Sequence, residues 1–144
     1  MATVQFSHVA MCCKDPLAVE RFYTRHFGFT RARVYDRGPH QVVMIKLGAM
    51  EIEIFPATCE APAPPVGGAG PEYPGLRHLA FLVDNLEAQL AAMGAEARIT
   101  LGPLDMGQYI PGMRVCWIAD PEGNIVELNQ GYVDENNPPP LALA

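Results

Sequence analysis

The feature that most constrains this chain is that one order of elements and chemistry occurs in it twice. The segment FSHVAM at 6–11 returns as LRHLAF at 76–81, each with a histidine followed by an apolar residue and an alanine. Each then reaches an aspartate, Asp15 or Asp84, and a helix-like stretch, PLAVERFYTRHFGF in one copy and NLEAQLAAMGA in the other. Three β-rich runs close each copy: TRARVYD, QVVMIKLG and MEIEIF, then ARIT, MRVCWIAD and NIVELN. Each copy therefore reads β-α-β-β-β. At 144 residues, the chain has room for one domain or for two small modules sharing a core. The expected class is α+β, built from two βαβββ modules.

Local signals support the first helix well. Asp15 is a suitable N-cap, Pro16 suits the first helical position, and Gly28 suits the stop. Val19, Phe22, Tyr23 and His26 recur at helical spacing and give the helix an apolar stripe. Leu86, Leu90 and Met93 form the corresponding stripe in the second copy, with Gly94 after it. Two stretches are rich in proline and glycine, Pro56 to Gly75 and the tail after Asp134. They divide the chain into a domain over 1–134, made of modules 3–55 and 76–132 with a linker or lid at 56–75, and a flexible tail at 135–144.

Composition excludes several classes. A net charge of −6 without a Lys/Arg run speaks against nucleic acid as a partner. Apolar runs are far shorter than the ~20 residues that cross a bilayer, so no membrane partner is expected. The start, MATVQFSHVA, lacks the basic and apolar regions of a secretory signal. Cys12, Cys13, Cys59 and Cys116 show no C-x-x-C spacing, so reduced thiols and a cytoplasmic location are expected.

The repeat places chemistry at equivalent points. His8 and His78 lie in the first strand of each copy, and Glu53 and Glu127 in the last. Strand alternation puts Ile52 and Ile54 on one face and Glu51, Glu53 and Phe55 on the other. In the second copy it likewise separates Val126 and Leu128 from Ile125, Glu127 and Asn129. With the helices covering the aliphatic faces, two imidazoles and two carboxylates would converge in an open, curved, barrel-like concavity. Carboxylates are costly in such a place, and a divalent metal removes the cost.

With these residues, the chain resembles the vicinal oxygen chelate superfamily, which includes glyoxalase I, fosfomycin-resistance proteins and extradiol dioxygenases. The resemblance rests on HVAMCCKDPLAVERFYTRHFGF, GLRHLAFLVDNLEA and IADPEGNIVELNQ, and covers about residues 4–130. It implies a glyoxalase-like fold and commonly a homodimer, with each site built from one chain or from two. The implied metal ligands are His8, Glu53, His78 and Glu127, a set similar to that of bacterial glyoxalase I. One divalent ion per site is implied, Ni, Zn, Co, Mn or Fe.

Three departures matter. The glutathione contacts of glyoxalase I correspond here to Cys12, Ala57 and Pro74. The implied activity is therefore proton transfer on a small oxygenated substrate without glutathione, by a lyase or isomerase. Glu127 is the candidate proton shuttle and Glu53 its competitor. A dioxygenase or a fosfomycin-resistance-type transferase is an alternative enzyme reading, and a bleomycin-resistance-type binding protein a non-catalytic one. Further expectations attach to single residues. His26 is expected in the core, His40 in a solvated turn, and Trp117 in core packing. Glu51 would be a partner or rim residue, and LGPLDMGQYIPGMR a mobile loop. Arg77 and Arg114 would favour an anionic substrate.

Overall fold

Two four-stranded mixed sheets, one from each copy, make up the fold. The computed structural model describes residues 2–35, 38–39 and 41–141. The first module comprises β1 (Val9–Cys13), α1 (Pro16–Phe27), β2 (Thr30–Val34), β3 (Val43–Leu47) and β4 (Met50–Pro56). The second comprises β5 (Leu79–Leu82), α2 (Leu86–Met93), β6 (Arg98–Asp105), β7 (Arg114–Ala119) and β8 (Ile125–Gln130), with a 3₁₀ turn at Gly94–Glu96. Strand order is β1-β4-β3-β2 and β5-β8-β7-β6, so the two sheets have the same topology. In each, the first strand runs parallel to the last and the remaining pairs are antiparallel. The α+β class and the βαβββ order are as the repeat indicates, and neither sheet closes into a barrel.

The helix signals act as local chemistry requires. The Asp15 side chain accepts from the Ala18 N–H, and Gly28, at φ 77°, closes α1 in the left-handed conformation. In α2 the cap is Asn85, one residue after Asp84, and its side chain accepts from the Ala88 N–H. Strand β6 is longer than ARIT suggests. It runs to Asp105 through register shifts, so the first half of the expected mobile loop is strand. Residues 131–141 are exposed and carry no helix or strand, and His40 lies outside the described residues.

Alternation sends one face of each sheet into a single core. Val43, Ile45, Ile52 and Ile54 from the first sheet and Cys116, Ile118, Val126 and Leu128 from the second are all buried in it. Val19, Phe22 and Tyr23 of α1 and Leu86 and Met93 of α2 fill the same cluster. Phe27 stacks on Phe81 of the other module with ring centroids 4.3 Å apart, and Phe29 meets Phe81 edge-on. Burial of one such ring contributes roughly 1.5–3 kcal/mol.

Polar contacts pin the modules at this core. The Tyr23 hydroxyl donates to Asp120 Oδ2 at 3.1 Å, and the Asp15 N–H donates to Glu122 Oε1 at 2.8 Å. Asp120 is fully buried and also accepts from the Asn124 side chain and from the N–H groups of Glu122 and Asn124. His26 is almost enclosed and contacts Glu96, while its carbonyl accepts from Gln89 Nε2 at 2.9 Å. Among the described residues no helix is long and apolar enough to cross a membrane.

Burial holds the Asp120 carboxyl above its ordinary value of 3.8, against the opposing pull of its hydrogen-bond donors. A proton on Asp120 thus favours the fold, and this contribution is lost as pH rises through the folded value. Losing the Tyr23 hydroxyl would weigh more on the ionised than on the protonated carboxyl. Tyr23→Phe is expected to cost about 1.5–3 kcal/mol at neutral pH and distinctly less in acid. Urea unfolding at the two pH values measures the difference.

Candidate functional site

Each histidine stands one residue ahead of a strand rather than inside it, His8 before β1 and His78 before β5. Strand register then decides what each can reach. Ala10 lies opposite Glu53 and Ala80 opposite Glu127. A histidine two residues before an alanine shares its face, and the alanine methyl leaves the ring room to lean toward the carboxylate. Two matched pairs result. His8 Nε2 lies 3.3 Å from Glu53 Oε2, and His78 Nε2 lies 3.1 Å from Glu127 Oε2.

The expected convergence of all four side chains does not occur within one chain. Among the described residues no three His, Cys, Asp or Glu side chains form a group able to hold a metal ion. The reason lies in the shared core. Both sheets turn their aliphatic faces into it, so the opposite faces, which carry the two pairs, look away from it. The chain presents two half-sites.

The second half-site is the more elaborated. The His78 Nδ1–H donates to the Ala69 carbonyl at 2.8 Å, because a carbonyl can only accept. In a neutral imidazole that leaves Nε2 a bare lone pair, facing another acceptor, Glu127 Oε2. Two acceptors 3.1 Å apart repel unless a proton or a metal cation lies between them. Asn129 Nδ2 donates to Glu127 Oε1 at 3.2 Å and so orients the carboxylate. Asn129 Oδ1 and Trp117 Nε1 are buried on the same face without a partner. The His78 and Glu127 side chains are 21% and 14% exposed, against 35% for His8. At His8 the Nδ1 contact is the hydroxyl of Ser7, 2.9 Å away, which can donate or accept and so fixes no tautomer.

The donor set suits a divalent ion. Donor atoms each ~2.0–2.2 Å from one metal lie about 3 Å from one another, which is the Nε2–Oε2 spacing of both pairs. A histidine whose other nitrogen donates to a carbonyl is the usual form of such a ligand.

Comparison with known proteins agrees with the fold. The family model described as "Glyoxalase/Bleomycin resistance protein/Dioxygenase superfamily" matches residues 5–128. The chain belongs to this superfamily. It is 31% identical over 124 residues to the uncharacterized protein YwkD of Bacillus subtilis (strain 168), covering 84% of this chain and 92% of that one. A solved structure described as a glyoxalase family protein from Enterococcus faecalis is 31% identical. It aligns with a TM-score of 0.64 over 87% of this chain and 96% of that one. The fosfomycin resistance protein FosX from Listeria monocytogenes shares the fold, with a TM-score of 0.63 at 15% identity over 92% of this chain and 97% of that one.

Other residues of this superfamily member fall partly where expected. Glu51 forms an ion pair with Lys46 at 3.8 Å, at the rim of the first half-site. Arg114 is not on the site face. It alternates with Cys116 and Ile118 and reaches Glu87 of α2 on the helix side. Trp117 is buried as expected, but in a small cluster with Val115 and Ile125 that walls Glu127, not in the main core. Its parity relative to Glu127 depends on the β7–β8 register, which the sequence does not state. Asn129 was legible as a neighbour on the Glu127 face; its grip on the carboxylate was not.

Cys12 shares a face with His8 and is exposed, as is Cys59; Cys13 and Cys116 are buried. Burial, reinforced by Glu122 and Asp120, pushes the Cys13 thiol up to about 12. Burial alone raises that of Cys116. A thiol so raised is inert. Aromatic disulfide reagents should therefore titrate Cys12 and Cys59 rapidly in the native protein, and all four thiols only in denaturant. Fast native labelling of Cys13 would contradict the packing.

Proposed function

We propose that the protein is a divalent-metal-dependent enzyme of the glyoxalase superfamily, acting as a lyase or isomerase by proton transfer on a small oxygenated substrate. The observation that carries this reading is the His78–Glu127 pair, where a carbonyl-held imidazole turns a bare nitrogen toward an oriented carboxylate. We propose further that a homodimer completes the centre. The His8–Glu53 half-site of one chain joins the His78–Glu127 half-site of its partner, since among the described residues the four donors form no single group within one chain.

His8, Glu53, His78 and Glu127 would hold the metal. When bound, the metal supplies Lewis acidity to two neighbouring substrate oxygens. Glu127 is assigned the proton shuttle. Asn129 holds its Oε1, so Oε2 is presented in one direction, and the wall of Val115, Trp117 and Ile125 keeps water from that flank. Glu53 faces Ala10 and the buried Met44 across the sheet and is assigned a ligand role. Cys12 offers no cationic grip where glutathione-dependent enzymes have one, which supports a substrate without that moiety.

Metal analysis of purified protein tests the reading. We expect close to one Ni, Zn, Co, Mn or Fe ion per chain, lost in His8→Ala and in His78→Ala. Glu127→Gln should keep most of the metal while turnover falls by roughly 10²–10⁴-fold. Protein that takes up no metal after reconstitution would leave the superfamily's ligand-binding role as the better account.

A further inference from the structure

The segment between the modules does more than connect them. Gly70 is buried and Gly68 and Ala69 are half-buried within the largely exposed proline- and glycine-rich stretch, and three contacts hold this segment in place. The Thr100 hydroxyl donates to the Gly68 carbonyl at 2.7 Å. The Ala69 methyl packs against the Val115, Trp117 and Ile125 cluster. At Gly70, with φ 107°, a Cβ would lie 2.2 Å from the Arg77 carbonyl, so no side chain fits between this segment and the residue preceding His78. The Ala69 carbonyl so held accepts from His78 Nδ1 at 2.8 Å and from Arg77 Nε at 3.3 Å.

We propose that residues 68–70 form a strap that positions His78, fixing the tautomer in which Nδ1 carries the proton and Nε2 is free to bind a cation. This rests on the metal-centre reading given above. Among the described residues the first half-site has no counterpart, since the Nδ1 of His8 meets the rotatable hydroxyl of Ser7 rather than a carbonyl. The two halves are therefore unequal. The His78 half is organised before any metal arrives, and the His8 half is organised by it. Gly70 and Thr100 are positioning residues that act on the site through a backbone carbonyl.

The test uses the full-length chain with Gly70→Ala, the milder Thr100→Val, and Gly67→Ala as control, since a Cβ at Gly67 meets open space. Two quantities are read: the His78 ring tautomer by ¹⁵N NMR of metal-free protein, about two pH units above the ordinary imidazole pKa of ~6.5, and Zn²⁺ affinity by competition with a chelator. We expect wild-type His78 to be protonated at Nδ1. Gly70→Ala should shift the ring toward the Nε2–H form and weaken Zn²⁺ binding about 10–100-fold. Thr100→Val should do the same to a smaller degree, and Gly67→Ala should change neither. A wild-type His78 protonated at Nε2 would overturn the proposal whatever the metal does. So would tautomer and affinity both unchanged in Gly70→Ala and Thr100→Val. A tautomer that responds as expected in a protein that binds no Zn²⁺ would uphold the strap and remove the metal-centre reading instead.

Discussion

The register of the parallel strand pairs governs everything else in this molecule. Ala10 opposite Glu53 and Ala80 opposite Glu127 put a histidine and a glutamate on one face, with only a methyl group beside them. Side chains alternate strictly along a strand, so a slip of one residue would turn either glutamate into the core and expose Ile52, Ile54, Val126 and Leu128. The fully buried aliphatic residues enforce the register, and the register makes the pairs. The candidate site and the core thus lie on opposite faces of the same two strands.

The shared core has a second consequence. Both sheets pack their aliphatic faces into one cluster, with Tyr23, Phe27 and Phe29 meeting Phe81 across the module boundary, and among the described residues the two His–Glu pairs do not join into one group of donors. A single chain consequently offers two pairs of donors where a metal centre wants four. Assembly from two chains, as proposed, would resolve this without altering the core. In the proposed dimer, occupancy of the site would be linked to association, since each chain would contribute half of each centre.

Much of this was legible in the residues themselves. Asp15, Pro16 and Gly28 mark the limits of α1, and the parity of MEIEIF and NIVELN tells which side chains enter the core. The two His–Glu pairs follow from the repeat because the same order recurs at equivalent places. Contacts fixed by tertiary packing were less visible. Nothing local in GGAGP announces that the Ala69 carbonyl will meet a histidine nine residues on, since the meeting depends on Thr100 and the β7–β8 cluster. Glu20 lies beside the apolar stripe of α1, and its burial is explained only by bidentate contact with Arg31, eleven residues later. Arg114 is similar: both faces of RVCWIA are apolar, so only the β7–β8 register sets it on the helix side with Cys116 and Ile118.

The central claim is that the two half-sites of one centre belong to different chains, and subunit complementation tests it most directly. Chains carrying His8→Ala are mixed with chains carrying His78→Ala, and bound metal is counted in the isolated mixed dimer by native mass spectrometry. Each parent homodimer lacks a ligand in both centres and should hold no metal tightly. In the mixed dimer one centre loses both histidines and the other keeps all four ligands, so one metal ion per dimer is predicted. A mixed dimer as empty as its parents, while the wild-type dimer holds two ions, would show that each centre is built from a single chain and would contradict the account.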